Sequence, residues 1–444
     1  MGSRTPPRFG TDGVRGVANT ELTPEHVLRL GRAAARVLGA PRVLVGRDPR
    51  RSSQLLEAAL VAGLASEGAE VISVGMLPTP ALAWLAAEAG AAAGMVTASH
   101  NPFADNGIKF FAPGGRKLAD DTEALIEAEL AALGPPSRSG VDVGTVVTDP
   151  AAAGRYVDHL VRLFPDGLLT GLRLVVDCAN GAMSAVAPAV LEALGAQLTV
   201  INNTPDGCNI NDPSGATHPE ALSEAVRSLG AGAGLAFDGD GDRVMAVDST
   251  GAVLDGDRQL AVIAPALKAE GRLRSDAVAV TVMSNLGFRL AMSRQGIRIV
   301  ETAVGDRYVL EALERDGLSL GGEQSGHLIL RDLSTTGDGL LAGLVLLETV
   351  RLSGHPLAEA AARAMTSYPQ VLVNVRTAQR HPDIAGLIAE EISGVEDELA
   401  GEGRVLVRSS GTEPVVRVMV EAPTPAEARR AAEHLAAVIQ TRLG

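Results

Sequence analysis

Three aspartates at alternate positions, Asp238-Gly239-Asp240-Gly241-Asp242, followed by Arg243, are the most chemically pointed run in this chain. Three carboxylates held this close repel one another unless a cation gathers them, and the intervening glycines let the backbone wrap it. The first five residues fit a calcium EF-hand loop, but the sixth position is Arg243, not Gly, and the twelfth is Ser249, not Glu, which excludes calcium sensing. Hard oxygen donors in small number favour Mg²⁺ with a phosphate completing its shell. A second run, Thr97-Ala98-Ser99-His100-Asn101-Pro102, follows the apolar Gly94-Met95-Val96. It puts a hydroxyl beside a histidine at the carboxyl end of a strand, where open α/β sheets bind ligands. Asn106-Gly107 then reads as a tight turn, after which Ile108-Lys109-Phe110-Phe111 returns as a strand and brings Lys109 back over Ser99. Taken alone, the same residues fit a plain capped turn equally well.

Two further loops carry donors and acceptors. In Gly321-Gly322-Glu323-Gln324-Ser325-Gly326-His327 a Glu, a Ser and a His share one Gly-rich segment, as recognition of sugar hydroxyls requires, although a polar connection between strands has the same composition. In Arg408-Ser409-Ser410-Gly411-Thr412-Glu413-Pro414, with Arg417 on the next strand, hydroxyls, backbone N–H groups and two arginines form a local phosphate nest. An acidic protein needs such a cluster to bind an anion. The formal charge is −14, so a broad nucleic-acid or anionic-membrane footprint is not expected. Of the 39 basic residues only Lys109, Lys117 and Lys268 are lysines. Where Arg is otherwise preferred, a retained Lys marks a place for a compact ammonium, and Lys109 lies ten positions after Ser99.

The elements that must position these loops follow from the apolar pattern. A short apolar run, a polar loop, a helical stretch, a Gly turn and a second apolar run recur three times. The copies are Arg42–Val45 to Val71–Val74, Leu174–Val176 to Leu198–Ile201, and Val278–Val282 to Ile297–Val300. Fully apolar strands alternating with helices mean mostly parallel sheets covered on both faces, so the chain is expected to hold three related α/β domains. The end differs: Arg404–Val407 and Val415–Val420 flank the polar loop. A helix opens at Thr424, with Pro425 at its first position and Glu427 completing a capping box, giving a smaller C-terminal α+β domain. Pro- and Gly-rich stretches place the domains at residues 1–149, 150–250, 251–366 and 367–444. With 46% apolar and 21% charged residues the chain is an ordinary globular one, and Cys178 and Cys208 make no disulfide framework. The start has no signal-peptide stretch and the apolar run Leu340–Leu347 is too short to span a bilayer, so a cytoplasmic protein without membrane or nucleic-acid partners is expected.

These four loops, in this order and in four successive domains, resemble the α-D-phosphohexomutase superfamily over the whole chain. Within it the chain looks most like the amino-sugar branch, on the residues Phe9-Gly10-Thr11-Asp12-Gly13-Val14-Arg15-Gly16, Thr281-Val282-Met283-Ser284-Asn285-Leu286-Gly287-Phe288, Val304-Gly305-Asp306-Arg307-Tyr308 and Glu323-Gln324-Ser325. The resemblance implies that Ser99, next to His100, carries a phosphoryl group and joins Asp238, Asp240 and Asp242 around one Mg²⁺ per active site. It implies that Arg15, Lys109 and Arg243 surround the transferring group, and that Lys109 or His327 serves in proton transfer. Gly305, Asp306, Glu323 and Ser325 would contact the sugar, and Arg408, Ser409, Ser410, Gly411, Thr412 and Arg417 would clamp the substrate's phosphate.

The implied reaction interconverts glucosamine 6-phosphate and glucosamine 1-phosphate through a hexosamine 1,6-bisphosphate intermediate, feeding nucleotide-sugar and cell-wall synthesis. Neutral hexose phosphates are the alternative substrates. The expected partner is a small sugar phosphate, and a homodimer is the expected assembly. A metal-dependent phosphatase would also use Asp-rich and phosphate-binding loops, but it has no need of a lasting phosphoserine. A non-catalytic sugar-phosphate sensor would need neither Ser99 nor the three aspartates.

Overall fold

The computed structural model describes residues 7–10, 12–379, 381, 383–409 and 414–443. Each of the three repeats closes as a strand–helix–strand unit with its two strands parallel. Arg42–Arg47 pairs with Glu70–Met76, Arg173–Asp177 with Gln197–Ile201, and Ala277–Thr281 with Arg298–Thr302. The central strands Ala92–Val96, Ala233–Phe237 and Ala277–Thr281 are buried at every position, which is why they read as continuous apolar runs. Helices such as Ser53–Ser66, Met183–Ala193 and Asp306–Arg315 are polar on one side only or apolar throughout, and they cover the sheets.

Each α/β sheet ends its parallel core in an antiparallel pair, and that pair carries the chemistry. Ala92–Val96 returns as Asp105–Ala112, Ala233–Phe237 as Val244–Asp248, and Leu320–Gly322 as Leu328–Leu330. The Ser99 loop, the aspartate loop and the Glu323 loop are the three connections. The sequence expectation of a turn at Asn106-Gly107 is corrected here: both residues lie inside the strand Asp105–Ala112, paired with Gly13–Val17 on the other side. Gly107 is wedged between two backbones, since a Cβ there would stand 2.6 Å from the Thr97 carbonyl oxygen and 2.9 Å from that of Val14. Asn106 donates at 2.9 Å to each of the Ser52 and Ser53 hydroxyls.

By contacts the chain forms two compact units, Met1–Met283 with Ile297–Ala361, and Ser284–Gly296 with Ala362–Gly444. The second unit has a three-stranded antiparallel sheet in the order Gln370–Arg376, Val415–Glu421, Arg404–Ser409. Its long helix Pro425–Leu443 packs on that sheet through Ala428, Ala432, Leu435 and Ile439. The capping box is formed reciprocally: the Glu427 N–H donates to Thr424 Oγ1 at 3.3 Å and the Thr424 N–H to Glu427 Oε2 at 3.2 Å. Gln370–Arg376 was missing from the sequence expectation. The helix Leu286–Arg294 lies inside the stretch expected as a third domain, yet it packs in this unit: Asn285 exchanges hydrogen bonds with the Tyr368 backbone at 2.9 and 3.0 Å. Among the described residues no single helix is long and apolar enough to cross a membrane.

Candidate active site

The three aspartates fold as expected from their spacing. The tight connection after Ala233–Phe237 turns Asp238, Asp240 and Asp242 to one side, with ligand oxygens all within 4.8 Å of one another and each side chain buried. Gly239 is required by close approach: a Cβ there would meet the Ser99 carbonyl oxygen at 2.6 Å. Ser99 stands against this loop, and its hydroxyl donates to Asp238 Oδ2 at 2.6 Å. His100 Nδ1 is 3.4 Å from the same hydroxyl.

Lys109 reaches the same place from the returning strand. Its Nζ is 2.9 Å from Asp12, 3.0 Å from Asp240 and 3.5 Å from Asp242, and Lys117 is 3.1 Å from Asp12 and paired with Asp306. His327 lies between Asp242 (Nδ1 to Oδ1) and Asp306 (Nε2 to Oδ2), 3.6 Å from each. Asp242, His327, Asp306, Lys117, Asp12 and Lys109 therefore form a ring of alternating charge, closed where Lys109 meets Asp242. Arg15 donates to Asn101 Oδ1 at 3.2 Å and pairs with Asp12. The Arg243 side chain is 3.9 Å from Asp242, and its N–H donates to Asp238 at 3.2 Å. In the sugar loop Glu323 accepts from the Gly305 N–H at 3.1 Å, with Ser325 Oγ 3.5 Å from the other carboxylate oxygen.

Protonation follows from this packing. Burial and the neighbouring Asp242 and Asp240 push Asp238 up to about 8. Burial works against charge on Asp242 and on Lys109, but opposite charges outweigh it, holding the carboxyl far below and the ammonium far above their usual ranges. His327 is shifted towards its charged form, since Asp242 and Asp306 overcome its burial. His100 is shifted the other way, to about 4, by burial and by Arg243 and Arg15. At neutral pH the site thus holds a charged Lys109 beside a neutral His100.

The donor set fits a divalent cation. Asp240 Oδ1 is buried without a hydrogen-bond partner among the described residues, while its Oδ2 accepts from Thr79 Oγ1 at 2.7 Å and from Lys109. Three carboxylates and a hydroxyl are hard oxygen ligands of the kind Mg²⁺ prefers.

In the C-terminal unit, Arg408 and Arg417 stand directly opposite each other across the strand pair. Burial and the Arg417 charge lower the pKa of Arg408, a repulsion that a bound anion relieves. Ser409 ends that strand and bonds the His381 carbonyl. Ser410, Gly411 and Thr412 lie outside the described residues.

Sequence reasoning passed over several residues that the structure brings in. Asp12 sat in a quoted motif without a role, and Lys117 shared the rarity that singled out Lys109. Asp48, Arg50 and Asn211 come from loops after strands and Thr79 opens the helix that follows Glu70–Met76; the ligand-binding rule for carboxyl ends of strands is the one signal that points to them.

Family models for phosphoglucomutase/phosphomannomutase match all four parts of the chain: α/β/α domain I over residues 6–135, domain II over 154–251, domain III over 255–368 and the C-terminal domain over 372–438. The chain is 53% identical to a protein of Frankia casuarinae named phosphoglucosamine mutase, covering 98% of both chains. It is 53% identical to one of the same name from Acidothermus cellulolyticus, covering 99% of this chain and 97% of that one. Among solved structures, a phosphoglucomutase/phosphomannomutase family protein of Burkholderia thailandensis superposes with a TM-score of 0.79 at 25% identity, over 97% of each chain. With four matching domains in order and close relatives over nearly its full length, the chain belongs to the phosphoglucomutase/phosphomannomutase family, the α-D-phosphohexomutases.

Proposed function

We propose that the protein is a phosphoglucosamine mutase, an isomerase that interconverts glucosamine 6-phosphate and glucosamine 1-phosphate with Ser99 as its phosphoryl carrier. The observation that carries this reading is the contact between the Ser99 hydroxyl and Asp238 at 2.6 Å, inside a three-aspartate loop, with Lys109 alongside. The choice of amino sugar draws on the name shared by relatives at 51–53% identity.

In the forward half-reaction the phosphoryl group on Ser99 passes to the sugar's O1. The O1–P bond forms as the Oγ–P bond breaks, and the O1 proton replaces the phosphoryl group on Oγ. His100, 3.4 Å from Oγ, is placed to pass that proton, and His327 is the other candidate, since Lys109 is held charged by Asp12, Asp240 and Asp242. The 1,6-bisphosphate then turns over, and its 6-phosphoryl group returns to Ser99 by the same exchange. Phosphoryl transfer demands alignment and charge neutralisation more than covalent chemistry. Lys109, Arg15 and Arg243 provide fixed positive charge, and Asp238, Asp240, Asp242 and Ser99 would hold one Mg²⁺, which supplies further neutralisation. Gly305, Asp306, Glu323 and Ser325 would meet the sugar, and Arg408, Ser409 and Arg417, with Ser410, Gly411 and Thr412 next in the sequence, would bind the phosphate.

Intact-mass analysis and parallel kcat/KM measurements on glucosamine, glucose and mannose phosphates test the reading. The expected result is a phosphate on Ser99 and preference for glucosamine, both lost in Ser99→Ala while its circular dichroism and melting stay those of the wild type. Near-normal turnover in Ser99→Ala sinks the covalent mechanism, and a clear preference for a neutral sugar reassigns the substrate to a hexose phosphate.

A further inference from the structure

Ser99 has φ of +50°, the left-handed region that residues with a Cβ seldom enter, and such a conformation persists only where its surroundings over-determine it. Beneath the Ser99 loop lies a layer of side chains that does this. Asp48 and Arg50, from the loop after Arg42–Arg47, are 0% and 1% exposed. All five N–H groups of the Arg50 guanidinium are committed. Nε donates to Asp48 Oδ2 at 2.9 Å, Nη2 to the carbonyls of Ser99 and Asn101 at 2.8 Å each, and Nη1 to the carbonyl of Asp105 at 3.2 Å and to that of Pro102. Asp48 also accepts from the Ser53 hydroxyl at 2.6 Å and from the Arg50 N–H at 3.0 Å. Thr97 Oγ1 links the two layers: it donates to Asp48 Oδ2 at 2.7 Å and accepts from the Ser99 N–H at 3.0 Å. Asn211, from the next α/β repeat, donates to the same two carbonyls as Arg50, at 2.9 Å for Ser99 and 3.2 Å for Asn101.

We propose that Arg50, braced by Asp48 and Thr97, is a positioning residue for phosphoryl transfer, holding the left-handed turn that keeps the Ser99 hydroxyl against Asp238. The proposal rests on Ser99 being the phosphoryl carrier. Five carbonyl and carboxylate acceptors around one buried side chain call for a planar fork of five donors, and a lysine offers three from a single point. The burial of this layer separates it from the sugar, so it acts on the alignment of Oγ and not on substrate affinity. Small misplacements at a phosphoryl donor are felt in the rate.

Arg50→Lys and Thr97→Val test this. The first keeps a positive charge against Asp48, and the second is isosteric and removes only the hydroxyl that links Asp48 to the Ser99 N–H. For Arg50→Lys we expect kcat to fall roughly 100-fold, with KM for glucosamine 6-phosphate changed by less than about threefold. Rapid-quench mass spectrometry should show phosphorylation of Ser99 by the 1,6-bisphosphate slowed by the same factor. For Thr97→Val a fall of about 10-fold with the same split is expected. A merely structural role would lower the melting midpoint and the active fraction without slowing Ser99 phosphorylation in the folded molecules. A folded variant with kcat within about twofold of wild type, or a loss carried by KM, overturns the proposal. If Arg50→Lys does not fold, Thr97→Val decides alone. Wild-type protein that never carries phosphate on Ser99 overturns the reading beneath, whereas an active wild type with unaffected variants overturns only the positioning role.

Discussion

Asp240 has one carboxylate oxygen spoken for by Thr79 and Lys109 and the other buried without a hydrogen-bond partner among the described residues. Asp240→Asn keeps an acceptor for the first pair but turns an amide with two N–H donors towards the place a cation would occupy. Calorimetric titration should show Mg²⁺ affinity lowered at least about tenfold, or about 1.4 kcal/mol, and turnover should fall by about two orders of magnitude. Unchanged metal affinity would move the cation elsewhere. Lys109 poses the complementary test. Its ammonium touches Asp12, Asp240 and Asp242 from inside a buried site, and a planar guanidinium is too wide to meet the three from one point. Lys109→Arg should therefore lose roughly 100-fold in kcat, about 2.7 kcal/mol of barrier, despite keeping its charge. Wild-type kcat in this variant would reduce the lysine to a placeholder for any cation.

At the scale of elements, antiparallel returns bring three loops to one site, and the helix Gly339–Ser353 packs behind two of them. Its first residue donates from N–H to the Gly241 carbonyl at 3.1 Å, so its start bears on the aspartate loop. Asp338 caps that helix, accepting from the Leu341 N–H at 3.0 Å and from the Tyr156 hydroxyl. Burial pushes Asp338 up to about 6 even though these donors pull the other way. Because this folded value lies above the unfolded value of about 3.9, the protonated carboxyl's contribution to stability is complete below pH ~4 and is lost as pH rises through about 6. Removing the phenol donor raises the folded value further. Tyr156→Phe should thus cost about 1–3 kcal/mol at pH 8, where a buried carboxylate loses its donor, and distinctly less at pH 5. Urea melts at the two pH values check this, and an equal cost at both would mean that Asp338 does not titrate in that range.

For the whole molecule, the division into units crosses the order of the chain. Phe288 and Met292 are buried, and the helix that bears them is tied to Tyr368 and, through the Leu286 N–H at 3.2 Å, to Glu421. A chain cut after residue 366 loses these hydrogen-bond partners, about 0.5–1.5 kcal/mol for each bond, and leaves the helix without most of its unit. We expect residues 1–366 to melt lower than the full chain and to bind a hydrophobic dye. Wild-type melting of the first unit in the truncated chain would show that the helix is held from elsewhere. The net charge of −14 also acts at this scale. An anionic substrate must be met by local cations, and Arg408 and Arg417 stand opposite each other as two such charges within the C-terminal unit.

Spacing along the chain was enough to single out the loops that the structure gathers around Asp238, Asp240 and Asp242. Apolar runs broken by Gly and polar loops specify strand–helix–strand units because burial on both faces demands them. Aspartates at every second position of a tight connection share a side for the same local reason. Thr424, Pro425 and Glu427 announced their helix start because a capping box is satisfied within one turn. Partners far apart in sequence were not legible. Whether Lys109 faces Asp240 depends on the register that sets Met95 opposite Lys109, and a slip of one residue would turn it to the other face. Asn106-Gly107 looked like a turn because its composition is that of one, yet neighbouring backbones require a glycine there inside a strand. The burial of Arg50 under Ser99, the meeting of Lys117 with Asp12 and Asp306, and the packing of Leu286–Arg294 with residues from Tyr368 onward are likewise decisions of tertiary structure. Each pairs charges or apolar faces that only the folded chain brings within reach.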